Sequence, residues 1–106
     1  MQVRGGMNEL MRQAARIQRK IEQAKTDARD KTLVSEAIGG KIKVTVTLGR
    51  QIERIEVDPE FATEEGLELV LDGIAAAINT GLAEADKALE AEVGKVTGGV
   101  KMPGMV

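Results

Sequence analysis

Basic side chains near the start of the chain are spaced so that they share one side of a helix. Four of them fall within an arc of about 100° on a helical wheel of 3.6 residues per turn. These four are Arg12, Arg16, Arg19 and Lys20. Over Met7–Ala28, Glu9 and Asp27 are the only acidic residues in that sector. A guanidinium group donates paired hydrogen bonds to phosphate oxygens, so such a row fits a polyanion. The row also fits an ordinary solvated helix face, and both interpretations stay open here.

Residue types that carry most enzymatic and metal chemistry are missing from the sequence. It has no Cys and no His, and Ser35 is its only serine. Without histidine a serine triad cannot be assembled, and the commonest metal ligand is lost as well. The glycine pairs Gly39-Gly40 and Gly98-Gly99 lack the other positions of a phosphate-binding loop. We therefore predict a protein that is not an enzyme and that uses no metal or cofactor.

Charge is distributed unevenly along the 106 residues, although the net charge is only −2. Residues 1–25 hold six basic and two acidic side chains, whereas residues 58–92 hold ten acidic side chains and the single cation Lys87. Phe61 is the only aromatic residue, and proteins that bind single strands rely on several aromatic side chains for base stacking. Contact with duplex phosphates needs only cations and a fitting shape. A nucleic-acid partner is therefore expected to be double-stranded and bound with little sequence preference.

Two long helices are predicted at the ends of an α+β chain with the order α-β-β-β-α. Apolar residues at alternating steps of three and four over Met7–Ala28 predict the first helix, residues 6–30. A second apolar stripe predicts the other helix over residues 64–93. Gly73 and Gly81 interrupt this helix, which fits the close approach of another backbone. Its stripe consists of Leu67, Leu71, Ile74, Ile78, Leu82, Ala85, Leu89 and Val93.

Between the helices, period-two alternation predicts a three-stranded antiparallel meander over residues 33–57. Two-residue turns are expected at Gly39-Gly40 and at Gly49-Arg50, the second with glycine first. Asp58-Pro59 should end the third strand, because proline cannot donate a ladder hydrogen bond. Thr63 is the predicted N-cap of the second helix.

The predicted helices are too long for one protomer to cover both. A helix of about 25 residues is ~37 Å long, whereas a compact domain of this length is roughly 33 Å across. Part of each helix should therefore project with an apolar side that needs a partner. A two-fold homodimer covers it most simply, and a monomer with both helices folded tightly over the sheet is the alternative. Residues 1–97 are expected to form one domain and residues 98–106 a flexible tail.

Five segments, in order and over nearly the whole chain, carry a resemblance to a known family. They are Gly5–Ala14, Gly40–Val46, Ile55–Pro59, Val70–Asn79 and Gly98–Gly104. Together they resemble the YbaB/EbfC family of nucleoid-associated proteins. The resemblance implies a tweezer-like homodimer, with helices projecting from a central sheet body, that binds duplex DNA without catalysis. It also implies recombination or replication proteins as partners and a link to DNA repair.

Candidate phosphate contacts follow from the basic residues and the resemblance together. They are Arg4, Arg12, Arg16, Arg19, Lys20, Lys95 and Lys101. The acidic stretch 58–92 departs from a picture in which both long helices grip DNA, because Lys87 is its only cation. No residue is assigned to base reading.

Three functions are open from the sequence. The leading one is a cytoplasmic, nucleoid-associated homodimer that binds double-stranded DNA for chromosome organisation, regulation or repair support. The second is a protein–protein adaptor in recombination or replication, with incidental DNA contact. The third is a structural dimer with a small-molecule pocket, for which no convergent polar cluster is visible. Lack of Cys and of any apolar run near the ~18 residues that span a bilayer favours a cytoplasmic location without a membrane partner.

Overall fold

Helix, three strands, short helix and long helix follow one another in that order. The computed structural model describes the backbone of residues 3–98 and the side chains of residues 6–98. The elements are α1 Val3–Ala28, β1 Thr32–Ala37, β2 Ile42–Thr47, β3 Ile52–Val57, α2 Pro59–Glu65 and α3 Leu67–Thr97. The predicted α+β class is confirmed, while the predicted second helix is divided into α2 and α3 at Gly66. Within the described residues, no helix is long and apolar enough to cross a membrane.

The sheet is an antiparallel meander with β2 in its centre. Ser35, Val44 and Ile55 are paired across the three strands, so their side chains share one face. On β2 this face carries Ile42, Val44 and Val46, which are fully buried against α3. The opposite face holds polar side chains, including the paired row Glu36, Lys43 and Glu56. The period-two pattern of β2 thus separates a covered face from a solvated one.

Small residues let α3 lie close to the sheet. Gly73, Ala77, Gly81 and Ala85 recur every fourth residue, and all four are buried. A Cβ on Gly81 would lie 3.1 Å from the Ser35 Cβ and 3.2 Å from a Val46 methyl. The neighbours of these glycines are therefore strand side chains, and the predicted approach of another backbone is wrong.

The predicted apolar stripe of the last helix is only partly correct. Ala85 and Val93 are buried, and Ile74 and Ile78 pack against the core. Leu67 and Leu71, however, are 72% and 54% exposed. Periodicity marks them as one side of a helix, but the glycine–alanine side is the one that meets the sheet.

The predicted N-cap is wrong, because the helical segment begins before Thr63. The Asp58 carboxylate accepts a hydrogen bond from the Phe61 N–H at 3.1 Å, and Pro59 occupies the first turn of α2. Capping and the nearby Lys41 ammonium hold the pKa of Asp58 below its usual value, the Phe61 hydrogen bond being the largest cause. Thr63 lies inside α2 and donates its hydroxyl to the Pro59 carbonyl oxygen at 3.0 Å. The Asp-Pro pair that ends β3 therefore also starts a helix.

The second turn also differs from its prediction. The Arg50 N–H donates a hydrogen bond to the Thr47 carbonyl oxygen at 3.0 Å. The backbone of Arg50 itself is in the left-handed region, with φ 67°. This is a longer loop than the predicted two-residue turn with glycine first. Gly49 is needed for space instead, because a Cβ there would lie 3.1 Å from the Arg29 carbonyl oxygen. In the first turn, Gly39 and Gly40 have positive φ as well as the preceding Ile38.

The molecule is long because α3 extends well past the sheet and carries α1 beside it. Strands of six residues span ~20 Å, whereas a 31-residue helix spans ~46 Å. The principal extents are 77 × 20 × 17 Å, and the radius of gyration is 20.3 Å, against ~13 Å for a compact domain of about 100 residues. Beyond the sheet, α3 contacts α1, where Ile21, Ala28 and Val93 are buried. Since α1 runs toward the sheet and α3 runs away from it, the two helices are antiparallel.

An ion triad joins α3 to the segment that follows α1. Glu92 of α3 accepts from the Lys31 ammonium at 2.8 Å and from the Lys95 ammonium at 2.7 Å. These hydrogen bonds, Lys31 first, lower the pKa of Glu92 from its ordinary 4.5 to about 2. Burial of the carboxylate acts in the opposite direction and is outweighed. The triad ties the segment that follows α1 to the C-terminal half of α3.

We expect Gly81→Ala to be less stable than Gly94→Ala by about 1–3 kcal/mol, because an added Cβ overpacks the contact with the sheet. Gly94 is the matched control in the same helix, since a Cβ there meets nothing within 4 Å. Gly94→Ala alone should stabilise the protein by up to ~1 kcal/mol through helix propensity. Urea unfolding of both variants measures the difference, and equal midpoints would refute the close packing of α3 on the sheet.

We expect Glu92→Gln to destabilise the protein at neutral pH and to lose that effect in acid. Because folding lowers the pKa of Glu92, its contribution is fully present above about pH 4.5 and disappears as the pH falls toward about 2. Urea unfolding of wild type and variant should give a smaller difference in the free energy of unfolding at about pH 3 than at pH 7. Glu90→Gln, an exposed position of the same helix, is the control. An equal difference in the free energy of unfolding at both pH values would contradict the stabilising role of the Glu92 ion pairs.

Candidate nucleic-acid interface

The four basic residues of the predicted row lie in the middle third of α1. Arg12, Arg16, Arg19 and Lys20 are all exposed. Arg12 lies 3.9 Å from Glu9, and both side chains remain more than half exposed, so this pair neutralises little charge. Within residues 6–98, no carboxylate lies within ion-pair distance of the other three.

We call residues 6–20 of α1 the arm, because this part of the helix leads away from the sheet. From Arg12 to Lys20 the arm has four cations and no carboxylate. Eight residues of helix place these charges along about 12 Å. A B-DNA duplex carries one negative charge per ~1.7 Å of its axis. The arm therefore presents a dense row of donors to a ligand with regularly spaced phosphates.

The remaining candidate contacts differ from the arm residues. Lys95 is exposed, but its ammonium is held 2.7 Å from the Glu92 carboxylate, so contact with a phosphate has to compete with that pair. The backbone of Arg4 belongs to α1, while its side chain lies outside the described residues. Lys101 lies outside them altogether. Arg4 and Lys101 therefore rest on the sequence alone.

Acidic side chains are concentrated on the opposite part of the molecule. Glu60, Glu64 and Glu65 of α2 and Glu68 and Asp72 of α3 are exposed. From Asp72, α3 runs another 25 residues to Thr97, which is about 37 Å of helix and leads toward the arm. Charges more than ~8–10 Å apart in solvent are largely screened at physiological salt. These five carboxylates therefore do little to weaken the positive potential of the arm.

Sequence reasoning expected the projecting helices to have an uncovered apolar side, but it did not locate the two apolar surfaces that are exposed. On the arm, Met7, Leu10 and Met11 are 54–66% exposed, although Met7 and Leu10 belong to the seam that α3 covers farther along. On β3, Ile52 and Ile55 are 40% and 45% exposed, although they share the face that α3 covers on β2. The heptad pattern could have signalled the first surface, because the seam starts well before the point that α3 can reach. The second surface depends on where α3 crosses the sheet.

Comparison with known proteins agrees with the family resemblance. A profile described as the YbaB/EbfC DNA-binding family matches residues 4–100. A protein named "Nucleoid-associated protein" from Ruminiclostridium cellulolyticum is 36% identical, covering 95% of this chain and 89% of that relative. A protein of the same name from Acetivibrio thermocellus is 35% identical, covering 95% of this chain and 90% of the relative.

The fold also occurs in a solved structure. The crystal structure of uncharacterized protein HP0035 from Helicobacter pylori superposes with a TM-score of 0.67 at 13% identity, covering 85% of this chain and 95% of that one. At that identity the match speaks for the fold alone. The profile match over nearly the whole chain and the full-length relatives establish that this chain is a member of the YbaB/EbfC DNA-binding family.

Proposed function

We propose that the protein is a nucleoid-associated homodimer that binds double-stranded DNA through phosphate contacts from its two arms, with little sequence specificity. The observation that carries this proposal is the row of Arg12, Arg16, Arg19 and Lys20, exposed on a projecting helix. Family membership supports DNA as the polyanion. The relatives named "Nucleoid-associated protein" support the bacterial nucleoid as its location.

A duplex fits this surface better than a single strand. Non-specific binders of single strands stack bases on aromatic side chains, and Phe61 is half-buried and packs against the core. Arginine and lysine can follow a phosphate backbone without reading bases. The protein would then act as an architectural or regulatory component of the chromosome, or in support of repair, rather than as a catalyst.

The homodimer would form through the uncovered part of the sheet. α3 lies over β1 and β2 and hardly touches β3, so Ile52 and Ile55 remain exposed on the helix-side face. β3 is also an edge strand with an unpaired row of backbone groups. A two-fold pairing of this edge and face would bury both features at once. It would leave both arms projecting, so that one dimer offers two rows of cations.

We expect the triple variant Arg12→Ala, Arg16→Ala, Arg19→Ala to lose most of its DNA affinity while remaining dimeric. If a dimer neutralises about six phosphates, affinity for a random duplex should fall roughly a thousandfold between 50 and 200 mM salt. The variant should lose most of this salt dependence. Fluorescence anisotropy across a salt series, with light scattering for oligomeric state, measures both.

The matched control removes three exposed cations from the body, as Lys41→Ala, Lys43→Ala, Arg54→Ala. The net charge changes by the same amount in both variants. If the position of the cations rather than the total charge determines DNA affinity, this variant should keep its affinity within about threefold. Equal losses in the two variants would contradict the arm as the binding surface. If the protein does not bind duplex DNA at low salt and instead copurifies with a stoichiometric protein partner, the adaptor function is favoured.

We expect Ile55→Glu to convert the dimer to monomer, because a charge on the interface would be desolvated without a partner. Val34→Glu is the control, since Val34 is 54% exposed and pairs with Thr45 on the other face of the sheet. Sedimentation velocity at micromolar concentration should give a smaller species only for Ile55→Glu. A dimer that persists in Ile55→Glu, or that dissociates only in Val34→Glu, would rule out this face.

A further inference from the structure

The arm has an apolar stripe on the side that its cations do not use. Met7, Leu10 and Met11 are 54%, 63% and 66% exposed, and Ala14 beside them is exposed as well. The same seam becomes half-buried at Ile17 and fully buried at Ile21. One seam is therefore covered over its C-terminal part and open over about three helical turns.

The chain itself returns toward this stripe. The Lys31–Glu92 contact places Glu92 near the C-terminal end of α1. From Glu92 to Thr97, α3 advances another five residues, or ~7.5 Å, along α1 in the antiparallel direction. It ends there with Gly98 as a left-handed C-cap. The described part of α3 therefore ends at about the level of Ile21–Ala24, with its axis directed toward the open part of the seam.

The segment after α3 is long enough and apolar enough to cover the stripe. Met7 is 14 residues from Ile21, or ~21 Å along the helix. Residues 99–106 can span ~26 Å when extended. Four of these eight residues are apolar, namely Val100, Met102, Met105 and Val106. Gly99, Pro103 and Gly104 disfavour a continuing helix, so we expect this segment to be extended.

The open stripe is too short to favour pairing with the arm of another molecule. Coiled coils are typically sustained over three to four heptads or more, whereas Met7–Ala14 is about one heptad. A segment of the same chain is held at millimolar effective concentration by its short connection. The covalent link therefore favours the chain's own C-terminus over a second copy.

We propose that residues 99–106 pack along the apolar stripe of Met7, Leu10, Met11 and Ala14 in the same chain. The cations of the arm stay exposed, because they lie on the other side of the helix. Lys101, the only charged residue of the segment, is carried beside the arm. The C-terminal segment stabilises the helical arm and adds one positive charge to it.

Amide hydrogen exchange without DNA tests this proposal independently of DNA binding. A chain ending at Gly98 should show at least about fivefold faster exchange over residues 8–14 than the full chain, while β2 is unchanged. Full-length Met102→Asp with Met105→Asp should reproduce the acceleration. Lys101→Ala is the control and should leave exchange as in wild type. Unchanged exchange in the truncated chain and in the aspartate variant overturns the proposal. The proposal is also overturned if residues 8–14 lose their protection from exchange only on dilution, because a second copy would then cover the stripe.

Disulfide trapping decides which chain supplies the segment. The described residues contain no cysteine and neither does the rest of the sequence, so Met7→Cys with Met105→Cys introduces the only two thiols. Mild oxidation should give a cross-linked single chain on a non-reducing gel. Predominant cross-linked dimer would assign the segment to the partner subunit and refute packing within one chain. Leu69→Cys with Met105→Cys, which places the first thiol near the start of α3, should give no cross-link within one chain.

Discussion

The close contact between α3 and the sheet sets the shape of the whole protein. Gly73, Ala77, Gly81 and Ala85 present almost no side chain to β1 and β2, so the helix sits directly on the strand side chains. That contact fully buries Ile42, Val44 and Val46 at the centre of the sheet. Burial of side chains this size contributes about 1.5–3 kcal/mol each. A chain with a single aromatic residue thus obtains its core from close approach rather than from bulk.

The same contact determines what remains open. A helix of small residues covers a narrow strip, and α3 reaches β3 hardly at all. Ile52 and Ile55 therefore remain exposed on a face that is otherwise buried, which is where a second copy would fit. Because α3 is more than twice as long as the strands, its C-terminal half runs past the sheet and supports α1. The projecting arm is thus a consequence of the difference in length between helix and sheet.

Charge separation gives this shape its functional meaning. A net charge of −2 would discourage a polyanion if the charges were mixed evenly over a sphere. Here the carboxylates of α2 and early α3 lie several Debye lengths of helix from the arm. Among the described acidic residues in the C-terminal half of α3, Glu92 fixes the helix to the segment after α1, and Asp86 pairs with Arg50. The positions of the charges therefore say more about the partner of this protein than the net charge does.

Local sequence by itself determined the element order, the alternation of β2 and the side of α1 that carries the cations. Each follows from a period of two or 3.6 residues, which every residue expresses without reference to distant parts of the chain. Local patterns also contained the Asp58-Pro59 start of α2, although that signal was interpreted only as the end of a strand.

Only the tertiary structure decided which apolar residues are covered. Leu67 and Leu71 have the same periodicity as Ile78, yet they are exposed, because the glycine–alanine side of α3 permits a closer approach to the sheet. Met7 and Ile21 belong to one uninterrupted seam, yet only Ile21 is buried, because α3 ends before it reaches the arm. Periodicity states which residues share a side of a helix. Whether a partner surface extends that far depends on the lengths and crossing positions of other elements, and those are properties of the folded chain alone.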